Sequence, residues 1–344
     1  MRIHPIQTML ETLIAVFILL SLILYALMGG ADFGGGMWDL LATGPRARLQ
    51  RKAIAEAIGP IWEANHVWLI LVIVLLFTGF PRGFATMMTA LNIPLTAMLI
   101  GIVLRGATFV FRKYDSQVDA VQQRWSTVFG AASFFTPFCQ GVTLGALATG
   151  AIRVENGQVI TGFYAGWLTP FALACGVFAL GLFAFLAATY LTLDTKNEPE
   201  LQNDFRRRAI GSGLTLAPIA LVVFFTSKTG APSMYEGLTR WWAPLLLVWT
   251  SLFALSALVA LWRRWFFAAR IAGVGQVTVI LLGWSLAQYP NLVTPDVTVR
   301  NSAAPEATLR LLVLALGLGA IVLLPSLVFL FRIFKGKRTG SLES

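Results

Sequence analysis

The sequence has little charge and few of the side chains that hold metals or haem. Only 12% of its 344 residues are Asp, Glu, Lys or Arg, whereas 57% are hydrophobic, more than a water-soluble globule can bury. There are two histidines, His4 and His66, and two isolated cysteines, Cys139 and Cys175. No Cys-x-x-Cys-His motif or paired metal-ligand spacing is present. We therefore expect neither a metal site nor a haem held by two axial ligands of this chain.

Apolar runs of about 20 residues, long enough to cross about 30 Å of hydrocarbon, recur along the chain. They predict an all-α polytopic membrane protein that forms one membrane domain over residues 1–344, with two helix bundles and one peripheral helix. Eight spans are the alternative, because Gly211, Gly213 and Pro218 interrupt the sixth run. The nine predicted spans cover residues 10–28, 58–80, 84–104, 128–148, 163–191, 209–227, 242–262, 271–287 and 309–331.

The basic residues indicate the orientation of these spans. With nine spans, 18 of the 26 Lys and Arg residues fall on one side and seven on the other, with Arg105 near a span. Short cytoplasmic loops keep an excess of positive charge, so the N-terminus is predicted outside and the C-terminus in the cytoplasm. The net charge of +10 is spread over short loops and not along one amphipathic face, which argues against nucleic-acid binding.

A glycine cluster, Gly34 to Gly36 with Gly29 and Gly30 before it, follows the first apolar run. A dinucleotide-binding loop needs a preceding strand and a βαβ unit, and neither is predicted here. The glycines instead indicate either close packing of helix backbones or a non-helical stretch at the membrane interface.

Ionisable and polar residues in or beside the first three spans are the main candidates for function, because charge is costly inside a bilayer. Glu56 and Glu63 are two helical turns apart, so we expect them on one helix face, about 10 Å apart in depth. Arg105 is expected at nearly the depth of Glu63. Three interpretations stay open: an ion pair that links helices (Glu63 with Arg105 or His66), a proton or ion route, and a lipid or quinone headgroup contact.

Two stretches then carry a family resemblance. Residues 29–37, with the sequence Gly-Gly-Ala-Asp-Phe-Gly-Gly-Gly-Met, and residues 59–69, with the sequence Gly-Pro-Ile-Trp-Glu-Ala-Asn-His-Val-Trp-Leu, resemble the two N-terminal signatures of cytochrome bd-type quinol oxidase subunit II. Arg105 matches the arginine near the end of that family's third span. Two positions depart from the family: Gly29 stands where an acid is usual, and His66 where Gln is common.

The ionisable residues of the first three spans and the resemblance together give candidate roles to particular residues. The proton-pathway candidates are Glu63, Glu56, Asp32 and His66. The structural or ion-pair candidates are Arg105, Trp62, Asn65 and Trp68.

The resemblance also implies a heterodimer in a bacterial inner membrane that oxidises quinol, reduces dioxygen to water and takes its protons from the cytoplasm. The partner, subunit I, would carry two haems b and one haem d or b. Membrane lipids, small accessory subunits and a structural quinone are further expected contacts. A secondary transporter with a charged intramembrane site is the alternative from another class, and a scaffold that only assembles the haem subunit is a third interpretation.

Overall fold

A computed structural model describes residues 5–59, 62–114 and 119–336. Within these ranges eight helices are long and apolar enough to cross a membrane, and one bent helix pair would make a ninth span. The elements in chain order are α1 (Pro5–Leu40), α2 (Ala47–Ile58), α3 (Trp62–Gly79), α4 (Pro81–Ala90), α5 (Asn92–Tyr114), α6 (Asp119–Ala148), β1 (Val154–Glu155), β2 (Gln158–Val159), α7 (Pro170–Asp194), α8 (Pro199–Gly230), α9 (Pro232–Leu238), α10 (Ala243–Trp262), α11 (Phe266–Gln288), β3 (Asn291–Val293), β4 (Val297–Thr298) and α12 (Glu306–Gly336).

The long helices pack as two groups of four. The first bundle consists of α1, α3, α5 and α6, and the second of α7, α8, α10 and α11. Helix α7 packs against both α1 and α6 and so joins the bundles, whereas α12 packs at the edge of the first bundle on α1 and α3. This arrangement confirms the predicted all-α membrane fold with two bundles and a peripheral helix.

The second predicted span, 58–80, contains α3, but the third is displaced in the structure. Helix α3 ends at Gly79, and α4 turns away from it by 117°. Pro81 begins α4, where a proline fits the first helical turn but could not continue a preceding helix. The span predicted at 84–104 is therefore wrong in position, because α5, which crosses the bundle, runs from Asn92 to Tyr114.

Helix α1 continues without a break through the glycine cluster to Leu40. The non-helical alternative for Gly29 to Gly36 is thus wrong, and Asp32 lies inside a helix that runs two further turns. The predicted common helix of Glu56 and Glu63 is also wrong, since α2 ends at Ile58 and α3 begins at Trp62. Gly59 and Pro60 lie between them in the sequence, and proline disfavours helical conformation in the residue before it.

The sixth predicted span is intact and longer than expected. Helix α8 runs from Pro199 to Gly230 and contains Pro218 inside it, so the glycines and proline do not divide it. The fifth span is shorter than predicted at its start, because α7 begins only at Pro170, where Thr169 caps it by accepting from the Ala172 N–H.

Polar contacts tie the bundles together at both ends. At one end, which we call the α2 end, Arg46 forms two hydrogen bonds to the Asp204 carboxylate, and Gln50 bonds both Asp204 and Arg208. At the opposite end, the hairpin end, two short hairpins (β1–β2 and β3–β4) are joined by Arg153 and Asp296.

Candidate functional site: a buried ion pair in the first bundle

The interior of the first bundle contains an ion pair between Asp32 of α1 and Arg105 of α5. Arg105 Nη1 donates to Asp32 Oδ2 at 2.7 Å, and Nη2 donates to Oδ1 at 2.6 Å and to the Asp32 carbonyl oxygen at 2.7 Å. The two side chains are 0% and 3% exposed. A single buried charge would cost far more free energy than a buried pair. Asp32 and Arg105 therefore neutralise each other's charge in the interior.

A third helix completes the environment of the guanidinium. Arg105 Nε donates to Ser133 Oγ of α6 at 3.0 Å, and the Ser133 hydroxyl donates in turn to the Phe129 carbonyl oxygen. The Arg105 Cζ atom lies 4.8 Å from the ring centre of Phe33 and 4.7 Å from that of Phe129. These aromatic faces attract the cation and exclude lipid from it, so the pair is enclosed by three helices.

Glycines in α1 allow the neighbouring helices to approach this pair. A Cβ atom on Gly36 would lie 2.0 Å from Ser133 Oγ, and one on Gly34 would lie 2.0 Å from the backbone oxygen of Phe183 in α7. No side chain fits at such distances. The glycine cluster therefore serves close helix packing, one of the two interpretations the sequence left open.

The remaining predicted residues lie at several different places. Asn65 is fully buried in α3 and faces α1, since a Cβ on Gly29 would lie 3.3 Å from its Nδ2 atom. Trp68 is buried in the apolar cluster between the bundles. His66 is half-buried, and Glu56 is exposed on α2. The side chains of Trp62 and Glu63, and the whole of His4, lie outside the part that the structure describes.

The predicted candidates therefore do not form one cluster. Asp32 and Arg105 are in direct contact, and Asn65 lies near them on the neighbouring helix. Glu56 is at the α2 end, on a different helix from Glu63. Sequence reasoning placed Arg105 at the depth of Glu63 but did not identify Asp32 as its partner.

A polar face of α6 was missed by sequence reasoning. Ser133, Thr136, Gln140 and Thr143 follow a spacing of three and four residues, so they share one helix face. Gln140 Nε2 donates to the Tyr25 hydroxyl of α1 at 2.5 Å. The signal was present in the sequence as polar residues at helical spacing within an apolar run.

The site carries charge but no metal-binding set. Among the residues that the structure describes, no three His, Cys, Asp or Glu side chains converge as metal ligands. The arrangement is suited to fixing helices around a neutralised charge pair. It also places the polar face of α6 beside that pair. The fold and this site define a polytopic helical membrane protein whose first bundle encloses polar chemistry while its second is largely apolar.

Comparison with known proteins identifies the family to which this chain belongs. The family model described as "Cytochrome bd terminal oxidase subunit II" matches residues 10–334. The chain therefore belongs to the cytochrome bd terminal oxidase subunit II family.

Particular relatives agree with that assignment. The chain is 26% identical over 323 residues to the cytochrome bd ubiquinol oxidase subunit 2 of Bacillus subtilis, covering 91% of each. It is 29% identical over 187 residues to the cytochrome bd-I ubiquinol oxidase subunit 2 of Escherichia coli K12, covering 53% of this chain and 48% of that protein. In fold it is similar to a chain of the bd oxidase from Geobacillus thermodenitrificans, with a TM-score of 0.77, 22% identity and coverage of 95% and 98%. The transporter alternative receives no support from these matches.

Proposed function

We propose that this chain works with a haem-bearing subunit I in a complex that oxidises quinol and reduces dioxygen to water. The observation that carries the proposal is the family match over residues 10–334. The Bacillus subtilis relatives are named as subunits of a ubiquinol oxidase and of a putative menaquinol oxidase. The proposed substrate is therefore quinol as a class.

In this proposal the haems, two of type b and one of type d or b, belong to the partner subunit. His4 and His66 are the only histidines of the sequence. The interior of the first bundle beside Asp32 is filled by the Arg105 guanidinium and the rings of Phe33 and Phe129. These residues do not fit a haem there, so the contribution of this chain is assembly, positioning and proton handling.

The proposed orientation places the N-terminus outside and the α2 end in the cytoplasm of a bacterial inner membrane. It is supported by the excess of Lys and Arg in the loops of that end. Contact with subunit I would use membrane-embedded apolar surface, which α3 and α5 present through exposed side chains such as Val67, Ile70, Phe77, Leu99 and Val103. Lipids, small accessory subunits and a structural quinone would occupy other parts of the surface.

Within this orientation we assign proton uptake to Glu63, near the cytoplasmic start of α3. Glu56 is exposed on α2 at the same end, so water between the two carboxylates would connect Glu63 with the cytoplasm. Asp32 is held by three hydrogen bonds from Arg105. That contact supports a positioning role for Asp32, and the proposed relay is Glu63 with His66 one turn further along α3.

Copurification tests the function. A tagged form of this chain, expressed with its subunit I, is expected to bring down a complex with the visible absorbance of a bd-type oxidase and quinol-dependent oxygen consumption. Expressed alone, the same tagged chain serves as the matched control and should carry no haem. A colourless solitary chain from the co-expression strain, or stoichiometric haem in the isolated subunit, would contradict the proposal.

A further inference from the structure

The polar face of α6 extends away from the ion pair toward the hairpin end. We call Ser133, Thr136, Gln140 and Thr143 the polar seam. Ser133 contacts Arg105, which is bound to Asp32 of α1, and Gln140 contacts Tyr25, also of α1. Since both pairs of positions are seven residues apart, the two antiparallel helices stay in contact over about 10 Å.

The seam faces the inside of the first bundle. A Cβ atom on Gly101 of α5 would lie 2.2 Å from Thr136 Oγ1, so the Thr136 hydroxyl points at the backbone of α5. Asn65 of α3 borders the same interior from the side of Gly29 on α1. Helices α1 and α5 thus contact the seam, and α3 contributes Asn65 beside Gly29, on the same face of α1 as Tyr25 and Asp32.

Several polar atoms in this interior have no hydrogen-bond partner among the residues that the structure describes. They are Asn65 Nδ2, Asn65 Oδ1, Thr136 Oγ1, Gln140 Oε1 and Thr143 Oγ1. Asn65 and Thr136 are both 0% exposed. A buried polar atom without a partner loses its hydration without compensation, so five of them in one interior favour a bound polar ligand.

The usual protein partners do not meet this need. A helical threonine ordinarily donates to the carbonyl oxygen one turn back, as Thr108 and Thr189 do, but Thr136 and Thr143 make no such bond in the described structure. The Gln140 amide is bound at one atom by Tyr25. Either orientation of that amide leaves its other atom unpaired.

We propose that the polar seam binds a short file of water molecules, enclosed by α1, α3, α5 and α6 between Asn65 and Thr143. Water is the ligand that fits, because it both donates and accepts and needs two to four polar partners in an enclosed site. The distance along α6 from Ser133 to Thr143 is about 15 Å, and the space lies farther from the α2 end than the ion pair. The hydration of this seam is separate from the proposed oxidase function, and its tests do not use activity.

Near-isosteric substitutions give opposite results for a hydrated and a dry seam. In the intact complex with subunit I, Thr143→Val and Asn65→Leu remove polar atoms while nearly keeping volume. If waters are bound, these variants leave the waters short of partners, and the unfolding midpoint should fall by roughly 1–3 °C relative to the control. Thr189→Val is the control, because the Thr189 side chain is as buried as that of Asn65 but its hydroxyl donates within its own helix.

A second experiment, on the unmodified complex, tests directly whether water is bound in the seam. In hydroxyl-radical footprinting by X-ray radiolysis, side chains beside bound water are oxidised even when they are buried. Tyr25, only 5% exposed, is expected to be oxidised faster than Phe185, which is 2% exposed in the apolar cluster, and Thr143→Val should slow it. Equal protection of Tyr25 and Phe185, together with variants that raise the unfolding midpoint above that of Thr189→Val, would show a dry seam and overturn the proposal.

Discussion

The two helix bundles differ in how they treat buried polar groups. In the second bundle, the buried hydroxyls of Thr189, Thr192 and Ser227 all donate to carbonyl oxygens of their own helices. In the first bundle, Arg105 is bound by two other helices, and the Thr136 and Thr143 hydroxyls of the polar seam lack partners within the described protein. These buried hydroxyls of the second bundle are thus satisfied within their own helices, although Gln276 Oε1 of α11 lacks a partner in the described structure. The first bundle joins its helices through buried polar contacts.

That contrast agrees with where the family signatures lie. The two signature stretches, residues 29–37 and 59–69, belong to α1 and to the α2–α3 region. They supply Asp32 of the ion pair, the glycines that allow close packing, and Asn65 beside the polar seam. Residues that carry the family resemblance therefore supply part of the polar interior, whereas the polar seam of α6 lies outside both signatures.

Breaking the ion pair should have the largest effect on the stability of the complex, and it tests the contrast between the two bundles. Arg105→Met leaves the Asp32 carboxylate buried without its partner, which typically costs about 3–5 kcal/mol. The expected result is a large fall in the unfolding midpoint and in the haem content of the purified complex. The double variant Asp32→Asn with Arg105→Met should recover part of the loss, because no unpaired charge remains.

The matched control for this experiment lies in the second bundle. Arg270 of α11 is 3.9 Å from Asp194 and lies over the Tyr190 ring, but both charged side chains are about a quarter exposed. Arg270→Met should therefore have a much smaller effect. Equal losses for Arg105→Met and Arg270→Met would remove the distinction between the bundles.

The second-largest loss of stability is expected where the first bundle packs against α7. In Gly34→Ala the new methyl would lie 2.0 Å from the Phe183 backbone oxygen and 2.7 Å from Ala187 Cβ, so the helices must separate at a cost of about 1–3 kcal/mol. Gly211→Ala in α8 is the control, since nothing lies within 4 Å of its added Cβ. Alanine is the better helix former, so the control should be neutral or slightly stabilising in thermal unfolding, and a neutral Gly34→Ala would refute the close approach.

The smallest effect is expected at the hairpin end, where charges are near the surface. The hydrogen bond from Arg153, followed by that from the Val154 N–H, holds the pKa of Asp296 below its ordinary value of 3.8 in spite of partial burial. A lowered carboxyl pKa stabilises the fold above the ordinary value, and this contribution disappears as the pH falls through the folded-state pKa.

Asp296→Asn should therefore lower the stability of the hairpins at neutral pH, and the difference from the unmodified protein should shrink between about pH 5 and pH 3. Limited proteolysis near β1–β2 can follow this stability, with Glu155→Gln in β1 as the control. A difference that stays constant across this range would mean that the Arg153–Asp296 pair is not its source.

Much of the fold could be predicted from the sequence because lipid requires long apolar helices. The break between α3 and α4 was predicted, since the predicted spans end at residue 80 and resume at residue 84. The start of α5 at Asn92 was missed, because the apolar residues of α4 directly precede it and the chain is helical on both sides. The start of α7 was placed too early, because the aromatic residues before Pro170 are as apolar as a span. Composition alone does not distinguish a membrane span from an apolar segment at its end.

The site was predictable in its members but not in its contacts. Asp32 and Arg105 were recognised because charge inside a bilayer is rare. Their pairing depends on α1 continuing through five glycines, each unfavourable in a helix, and local propensity argued against that. Tertiary packing against Phe183, Ser133 and Ile58 decides the conformation instead.

The central claim is that the first bundle handles protons through Glu63. The direct measurement is oxygen consumption and proton uptake by the purified complex with Glu63→Gln, which keeps side-chain volume but removes the exchangeable charge. Glu200→Gln is the control, because the Glu200 side chain is 79% exposed on α8 at the α2 end. We expect an assembled Glu63→Gln complex with unchanged haem spectra but much slower oxygen consumption and proton uptake, and an unaffected control. Full quinol oxidase activity with unchanged proton uptake in the intact Glu63→Gln complex would contradict the claim.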